Sequence, residues 1–397
     1  MEKSGTRIPR NVIVVAFVAL ASGFGQDLIT PVLPGYLALL GVSAAGIGLI
    51  DGLLQGATNV FRFVSGLLSD RFRDRKRLIF LGYALSSLAR PLLAMAGSFG
   101  AVAALRLADG VGKGMKDAPR DALVADSSAE GTKGRAFGFH RLVDTAGSVL
   151  GPLVAAALLL SLSPSLQTYR LILLASALPG AVALGLIAFG LREPRAMAAA
   201  SPARSRLPGR FWLFVAGAAV AMLSKINDSL FLVRAGTAGV PQASIPLVFA
   251  GFTLVYALLS YPIGAWSDRV GKPPFLLAGW LLLAAVEWGF SYDLRTVPAL
   301  GLFALYGVFY ALTEGSGRAL IAELVPAGSR GRAYAVFYTL TGVAVIAGGW
   351  GLGRLWDAVS PAAAFRLSAA GTLLSCIFFA AIALSRPARG APSTATS

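Results

Sequence analysis

Long apolar segments recur along the whole chain and decide what kind of fold it can adopt. Runs of about eighteen or more mainly apolar residues follow one another with short polar connections, as in 211–235 and 363–385. The chain has 397 residues, of which 56% are hydrophobic and only 14% charged, too few charges to cover a soluble fold. Segments of this length match the hydrocarbon core of a bilayer. The sequence therefore predicts an all-α membrane protein.

The apolar segments divide the chain into twelve predicted spans. Several spans contain Gly, Pro or a charge, which a membrane helix tolerates where its backbone packs on neighbours or lines a cavity. The predicted spans are 12–40, 45–70, 78–97, 100–120, 136–162, 168–191, 211–235, 243–267, 273–292, 298–320, 332–356 and 363–385.

Basic residues cluster in alternate connections between the spans. The intervening connections "GVSAAG", "AGSFG" and "AGTAGVPQAS" contain none. Because basic connections stay in the cytoplasm, we predict a multi-pass protein of the inner (plasma) membrane with both termini cytoplasmic. The formal net charge of +16 then follows from topology and does not indicate nucleic-acid binding. The basic clusters are Lys3, Arg7 and Arg10; Arg71, Arg73, Arg75, Lys76 and Arg77; Lys133 and Arg135; Arg192, Arg195, Arg204, Arg206 and Arg210; Arg269 and Lys272; Arg330 and Arg332; Arg386 and Arg389.

The two halves of the chain repeat each other. "SDRF" at 69–72 returns as "SDRV" at 267–270, and "KGRAFGF" at 133–139 returns as "RGRAYAV" at 330–336. Asp27 in "GQDL" is echoed by Asp228 in "INDSL" at nearly the same offset. Such a duplication is the usual construction of secondary transporters. The sequence therefore predicts two pseudo-symmetric six-helix bundles, with the domains 1–191, a cytoplasmic linker 192–210, 211–385 and a cytoplasmic tail 386–397.

The scarcity of reactive side chains disfavours other classes of function. The chain has one Cys, Cys376, and one His, His140, too few for a disulfide or for a zinc site built from these residues. It contains no P-loop, because "GVGKG" at 110–114 lacks the required spacing. A membrane-embedded enzyme or sensor is therefore disfavoured, and the sequence predicts no cofactor and no metal.

The connection between the second and third spans carries a charged motif. It reads "GLLSDRFRDRK" from residue 66, and the second half has "GAWSDRVGK" from residue 264. The motif resembles the G-x3-D-R-x-G-x-R-R signature of the major facilitator superfamily, with Arg73 in place of the inner Gly. The resemblance covers essentially the whole chain and implies twelve helices around a central cavity. The residues that it implies tether the half-bundles in the outward-facing state are Gly66, Asp70, Arg71, Arg75, Asp268 and Arg269.

A second motif lies in the fifth span. "GFHRLVDTAGSVLGPLVAA" places Gly138, Gly147, Gly151 and Pro152 at the spacing G-x8-G-x3-G-P. It resembles the motif of the superfamily's drug–proton antiporters, with two alanines in place of the final two glycines. The resemblance implies export, with Gly147, Gly151 and Pro152 as gating residues. The alternative is generic close packing of a membrane helix on small residues.

The fourth span contains "RLADGVGKGMKDAPRD", which carries seven charged side chains in residues 106–121. At 100° per residue, six of them fall within an arc of about 100°. A lipid-facing charge costs about 2.5–3.5 kcal/mol even on a lenient scale, so we expect this charged face to line a watery interior. Pairs at i,i+4, such as Asp109 with Lys113, would partly neutralise it. The charged face comprises Arg106, Asp109, Lys113, Lys116, Asp117 and Arg120.

Carboxylates inside the spans are the candidates for proton transfer, since proton relays in membrane proteins use such groups. In the first half the leading candidates are Asp27 and Asp109. The resemblance implies a proton-transfer role for Arg106 as well, and the alternative is a structural ion pair with Asp27 or Asp109. In the second half the candidates are Asp228 and Glu314, which alternatively neutralise Lys225 and Arg318 respectively.

In the resembled fold, spans one, four, seven and ten surround the central cavity, and these spans carry most of the intramembrane charge. Aromatic residues of the same spans, Phe24, Tyr36, Phe231, Tyr306, Phe309 and Tyr310, either hold an amphipathic solute or pack between helices. The predicted substrate-binding residues are Asp27, Asp109, Lys113, Lys116, Arg120, Lys225, Asp228, Arg234, Tyr310, Glu314 and Arg318.

Four further polar residues have two interpretations each. Glu287 is either a peripheral proton site or a surface residue that snorkels to the interface. Asp51 and Arg62 pair with the eleventh span or line the mouth of the cavity. His140 is a packing or gating residue, or a proton relay.

Together these features predict a monomeric, proton-coupled transporter that exports a small organic solute by alternating access. The basic residues favour an amphipathic solute that is anionic or zwitterionic. The alternative is a proton symporter that imports an organic anion or a metal chelate. The predicted partners are therefore a small molecule, protons and the lipid bilayer.

Overall fold

The computed structural model describes residues 8–72, 74–128, 132–192, 206–326 and 329–384. Within these ranges the ordered secondary structure is helical, with short 3-10 and π segments between some helices. The α-helices are α1 Arg10–Ile29, α2 Leu33–Leu39, α3 Ala44–Phe72, α4 Arg75–Leu92, α5 Phe99–Asp126, α6 Lys133–Leu162, α7 Leu166–Ala175, α8 Ala177–Gly185, α9 Gly209–Ser224, α10 Asp228–Thr237, α11 Ile245–Val270, α12 Lys272–Phe290, α13 Thr296–Leu324, α14 Arg330–Ala358 and α15 Pro361–Leu384.

Each of the twelve predicted spans corresponds to one helix or to one broken helix, which confirms the predicted fold class. The first span is α1 followed by α2, the sixth is α7 followed by α8, and the seventh is α9 followed by α10. The fourth span is longer than predicted, because Pro119 lies inside α5 and the helix continues to Asp126. The two chain ends of the described fold, at the start of α1 and the end of α15, lie on one side, hereafter the termini end.

Ten of the spans within the described ranges are long and apolar enough to cross a membrane on composition alone. The two remaining spans are α3 and α5, which carry the charges singled out above. Both are enclosed by other helices, with α3 packed on α5 and on α14 and with α5 packed on α4. Charge is therefore concentrated in the helices that neighbouring helices cover.

Local side chains explain where several helices begin. The side chains of Asp74, Ser98 and Ser165 each accept a hydrogen bond from the backbone N–H three residues later, at 3.0, 3.3 and 3.2 Å. These N-caps satisfy N–H groups that have no partner within the helix. They start α4, α5 and α7 immediately after short connections.

The two halves meet along α3 with α14 and along α6 with α11. A Cβ atom on Gly48 would lie 2.1 Å from the carbonyl oxygen of Gly349, so these two backbones touch only because the residue is glycine. Nearby, the carboxylate of Asp357 accepts hydrogen bonds from the N–H groups of Ala44 and Ala45, at 3.0 and 2.8 Å. We call this contact the Asp357 clasp. It joins the halves at the end opposite the termini.

The close packing expected of the fifth span is present inside the first half. A Cβ on Gly147 would lie 2.3 Å from the carbonyl oxygen of Leu20, and one on Gly151 would lie 2.5 Å from that of Phe24. Small residues therefore let α6 contact the backbone of α1 directly. Pro152 lies within α6 next to this contact.

Candidate functional site

A cavity of about 480 Å³ lies between the two halves. It occupies the middle of the spans and extends toward the termini end, where Arg62, Arg141 and Phe337 line it. Its charged lining residues, among those described, balance closely in sign, with five carboxylates and four bases. They are Asp27, Asp51, Asp144, Asp228 and Glu314, with Arg62, Lys113, Arg141 and Lys225.

The wall contributed by the first half is polar. Asp27 of α1 is nearly buried, and its carboxylate lies 3.4 Å from the side-chain nitrogen of Gln26. Lys113 of α5 and Ser148 of α6 interact with the same carboxylate. Gln55, Thr58, Asn59 and Thr145 complete this polar wall.

The wall contributed by the second half centres on an ion pair at a break between two helices. α9 ends at Ser224 and α10 begins at Asp228, and Lys225 donates to the Asp228 carboxylate at 2.7 Å. Tyr310 of α13 donates to both carboxylate oxygens of Asp228, at 2.9 and 2.8 Å, and Tyr306 donates to one of them. Three side-chain donors, Lys225, Tyr306 and Tyr310, thus hold the Asp228 carboxylate.

Aromatic side chains fill the rest of the second wall. The rings of Tyr306, Phe309 and Tyr310 contact one another, with centroid separations of 5.1 to 5.8 Å. This wall therefore offers flat apolar surfaces beside one half-buried ion pair. The aromatic lining residues are Phe214, Phe249, Phe252, Tyr256, Trp280, Phe309, Tyr310, Phe337, Tyr338 and Phe379.

Two contacts join the walls near the termini end. Arg141 of α6 hydrogen bonds to the hydroxyl of Tyr256 on α11, and that hydroxyl donates to Glu314 of α13 at 2.8 Å. Arg62 of α3 lies over the ring of Tyr338 on α14, at 5.2 Å from its centroid. Arg62 and Asp51 therefore line the cavity. Arg62 also contacts the eleventh span, so the structure agrees with both interpretations given for this residue.

The charged face of α5 is placed differently from our expectation. Only Lys113 of the six residues lines the cavity. Asp109 is 1% exposed and pairs with Arg106 and with Arg90 of α4, each at 3.2 Å, rather than with Lys113. The reason is that α5 packs against α3 and α4 inside its own half, so its charged face meets those helices. In this conformation, Arg106 and Asp109 form a sealed ion cluster.

The termini-side part of that face is also paired within the first half. Asp117 binds Arg62 of α3 and lies 3.4 Å from Arg120, which also reaches Asp121 at 3.1 Å. Lys116 is buried and donates to the hydroxyl of Ser22 at 3.2 Å. The structure therefore does not bring Lys116 and Arg120 to the cavity wall.

The two remaining predicted substrate residues are Arg234 and Arg318. Arg234 lies away from the cavity, where it donates to the carbonyl oxygens of Phe290 and Tyr292 at 3.1 and 2.6 Å and holds the connection that follows α12. The side chain of Arg318 lies outside the described residues. Five of the predicted substrate residues besides Tyr310 do share the cavity, namely Asp27, Lys113, Lys225, Asp228 and Glu314.

The predicted gating residues lie at the termini end and in α6. The side chains of Asp70 and Arg71 fall outside the described residues. Arg75 pairs with Asp126 at the end of α5, which ties the connection between α3 and α4 to that helix. In the second half, Asp268 pairs with Lys272. Near them, Gly66 approaches Ala118 of α5, and Arg269 is exposed.

Other predicted aromatic residues pack between helices instead of lining the cavity. The hydroxyl of Tyr36 donates to the carbonyl oxygens of Leu93 and Ala96, at 3.1 and 3.2 Å, at the end of α4. Phe24 packs against the apolar core, and Phe231 and Tyr306 are fully buried behind the aromatic wall. Of the six aromatic candidates, only Phe309 and Tyr310 line the cavity.

The sequence analysis missed Arg90, which is 2% exposed and completes the sealed cluster. An arginine in the middle of an apolar span, directly before Pro91, was the signal that could have found it. The surface interpretation of Glu287 is wrong, because this side chain is fully buried. His140 is also buried, and its Nε2 atom has no hydrogen-bond partner among the described residues.

Comparisons with known proteins agree with this architecture. The sequence model of the Major Facilitator Superfamily matches residues 15–224 and 213–397. An uncharacterized MFS-type transporter of Methanocaldococcus jannaschii is 29% identical over 373 residues, which cover 90% of this chain and 91% of that protein.

Two further proteins are similar either over a shorter part of the chain or at a lower sequence identity. The quinolone resistance protein NorA of Staphylococcus aureus is 27% identical over 143 residues, 36% of this chain and 37% of that protein. The crystal structure of the nucleoside transporter NupG superposes with a TM-score of 0.75 at 14% identity and covers 94% of this chain and 99% of that one. At that identity, the structural similarity shows the fold alone.

Proposed function

The chain belongs to the Major Facilitator Superfamily and is a multi-pass membrane transporter rather than an enzyme; on that premise, we propose that it exports a small amphipathic organic solute in exchange for protons. The observation that carries the proposal is the cavity between the halves, which sets a polar, charged wall against an aromatic one. Both walls contain a carboxylate at the equivalent repeat position, Asp27 in the first half and Asp228 in the second.

The chemistry of the two walls favours a particular class of solute. The aromatic wall suits a flat or apolar body, and the polar wall suits a charged or hydrogen-bonding end. Because the described charges of the lining nearly balance in sign, a zwitterionic amphipath fits better than a solute with several charges of one sign. The partial similarity to a protein named for quinolone resistance points in the same direction.

Proton coupling is assigned to the two cavity carboxylates. Asp27 lies in the field of Lys113, and Asp228 is paired with Lys225, and each carboxylate can hold either a proton or the cationic group of a zwitterionic solute. Protons and solute thus compete for the same charges, which is the requirement for exchange. Asp109 is reassigned from carrier to structural ion, because Arg90 and Arg106 enclose it.

Alternating access follows from where the halves touch. The Asp357 clasp and the Gly48–Gly349 contact close the end opposite the termini, while the cavity extends toward the termini end. With cytoplasmic termini, as the basic connections predict, this conformation would receive solute from the cytoplasm of a cell and release it after the halves rock about the cavity. We take the transporter to act as a monomer in the inner membrane.

Everted membrane vesicles with an acidic lumen test this proposal. A zwitterionic quinolone added outside should enter the lumen and release protons, which raises the fluorescence of a quenched pH-sensitive dye. Asp27→Asn should reduce this proton release by at least about tenfold, since it removes a carboxylate that the exchange requires. The matched control is Asp293→Asn, an exposed aspartate outside the cavity, which should behave as the wild type.

Proton release that persists undiminished in Asp27→Asn would refute the assigned carrier. The basic residues of the cavity also favour a second candidate, a proton symporter that imports an organic anion. In the same vesicles a symporter would move solute and protons out of the lumen together, so added solute would not accumulate against the proton gradient. An amphipathic carboxylate tested beside the quinolone separates the two candidates.

A further inference from the structure

Glu287 of α12 is fully buried inside the second half and is not among the residues that line the cavity. Its two carboxylate oxygens accept hydrogen bonds from Ser368 and Thr372 of α15, at 2.6 and 2.8 Å. Both hydroxyl residues are themselves fully buried. A buried carboxylate served by neutral donors, without a base in contact, is costly to keep ionised in a membrane interior.

Ser368 connects this carboxylate to the break between α9 and α10. Its Oγ atom accepts a hydrogen bond from the backbone N–H of Ile226 at 3.1 Å while its hydroxyl donates to Glu287. Ile226 is the central residue of the break, between Lys225 and Asn227. The backbone N–H released where the helix is interrupted is thus satisfied through a serine whose orientation depends on Glu287.

The other two residues of the break contact different parts of the molecule. Lys225 forms the ion pair with Asp228 on the cavity wall, and the amide of Asn227 donates to the carbonyl oxygen of Gly48 in the first half at 2.8 Å. One three-residue segment therefore links the acid inside the second half, the cavity ion pair and the contact between the halves.

The surroundings of Glu287 contain few other titratable groups. Among the described residues, the charge that acts on it is that of Lys225, and the thiol of Cys376 lies one turn beyond Thr372 on α15. From α13, the contacts at this level of α12 are apolar, with Leu302 against Gly289 and Phe303 against Phe290. Two groups therefore connect Glu287 to the break, Ser368 through hydrogen bonds and Lys225 through its charge.

We propose that Glu287 is a second proton-binding site, separate from the cavity, and that proton binding there changes the break at residues 225–227. When the carboxylate is ionised, it attracts Lys225 and orients the Ser368 hydroxyl toward itself. When it is protonated, its own O–H group needs a hydrogen-bond acceptor, and it no longer attracts Lys225. The break at residues 225–227 then loses one of the interactions that hold it. The proposal rests on the proposed function only in taking the transporter to be coupled to protons.

Two measurements on purified protein in lipid nanodiscs test the site without any solute. The first is infrared difference spectroscopy during a titration from mildly alkaline to mildly acidic pH, in which a protonated carboxyl C=O band should appear. One component of that band should be absent in Glu287→Gln and present both in Asp27→Asn and in the matched control Glu323→Gln, an exposed residue of α13.

The second measurement follows the break. In a Cys376→Ala background, a cysteine is introduced by Met222→Cys, which lies on the cavity wall one turn before the break. Its labelling rate by a maleimide should change with pH by about fivefold or more, the lower range of coupling between two sites. The change should disappear in Glu287→Gln and become smaller in Ser368→Ala.

The proposal is overturned if Glu287→Gln removes no component of the infrared band, or if the pH dependence of labelling is unchanged in that variant. A response of labelling to sodium against potassium at constant pH would also overturn it, in favour of a metal-cation site. If Glu287→Gln does not fold, the double variant Ser368→Ala/Thr372→Val takes its place. This variant should shift the pH at which the band appears, and an unchanged pH would refute the site. Because no solute is present, these results are independent of the vesicle assay.

Discussion

The two halves of the chain share one cavity, but different interactions hold their interiors together. The first half holds its helices together with buried ion pairs, such as Asp109 between Arg90 and Arg106. The second half uses contacting aromatic rings, for example Phe231 against Phe290 and Tyr306, at centroid separations of 5.3 and 4.6 Å. A duplicated fold therefore tolerates two kinds of interior.

The difference between the halves has a physical consequence. Ion pairs fix helices at defined positions, because a buried charge that loses its partner is strongly destabilising. Aromatic surfaces are less directional and accept solutes of different outline. We infer that the first half positions the charged end of a solute, while the second half accommodates its body.

The largest expected effect comes from breaking the ionic interior. Asp109→Asn should reduce the free energy of unfolding by about 3–5 kcal/mol, since two arginines then remain buried without a carboxylate. Thermal and chemical unfolding in detergent micelles measure the loss. The control is Asp121→Asn, whose carboxylate is half-exposed and pairs with Arg120, and its cost should stay below about 1 kcal/mol. If the Asp109→Asn protein were stable but no longer transported protons, Asp109 would instead be a proton carrier.

A substitution in the aromatic interior should cost less. Phe231→Leu keeps an apolar side chain of similar size, so the expected loss is about 1.5 kcal/mol or less, measured by the same unfolding experiments. Phe189→Leu, at a ring that is 90% exposed, is the matched control and should be near neutral. If Phe231→Leu were as costly as Asp109→Asn, the contrast between the two interiors would be lost.

The smallest expected effect concerns the contact that joins the two walls. Tyr256→Phe removes the hydroxyl that donates to Glu314 and bonds to Arg141, a change worth about 1 kcal/mol. The termini end should then open more readily, which would raise maleimide labelling at Met222→Cys by a few fold. Tyr261→Phe, an exposed residue one turn further along α11, should leave labelling unchanged. Equal labelling in both variants would mean that this contact does not restrain opening.

The fold was predictable because hydropathy and the placement of basic residues are properties of the chain itself. The duplication even related Asp27 to Asp228, and both lie on the cavity wall. The sequence predicted one charged face on α5, but a helical wheel does not show which neighbouring helices its side chains meet. Its partner Arg90 came from another span, so only the packing of α4 on α5 revealed the sealed cluster.

The break at residues 225–227 shows a second limit of sequence analysis. The local sequence "SKIND" contains neither Gly nor Pro, the usual signals of an interrupted helix. The break depends on Ser368 and on the carbonyl oxygen of Gly48, which lie 142 and 179 residues away from their partners along the chain. Contacts of that range are not encoded in any short window.

The Asp357 clasp has one consequence for how such a transporter can be adjusted. On one side of the contact the donors are backbone N–H groups at the start of α3, which any residue other than proline would supply. The acceptor side of this contact is therefore supplied by one side chain, that of Asp357, while the Gly48–Gly349 contact closes the same end through backbone packing. A substitution at residue 357 would therefore weaken closure at this end without changing any residue that lines the cavity.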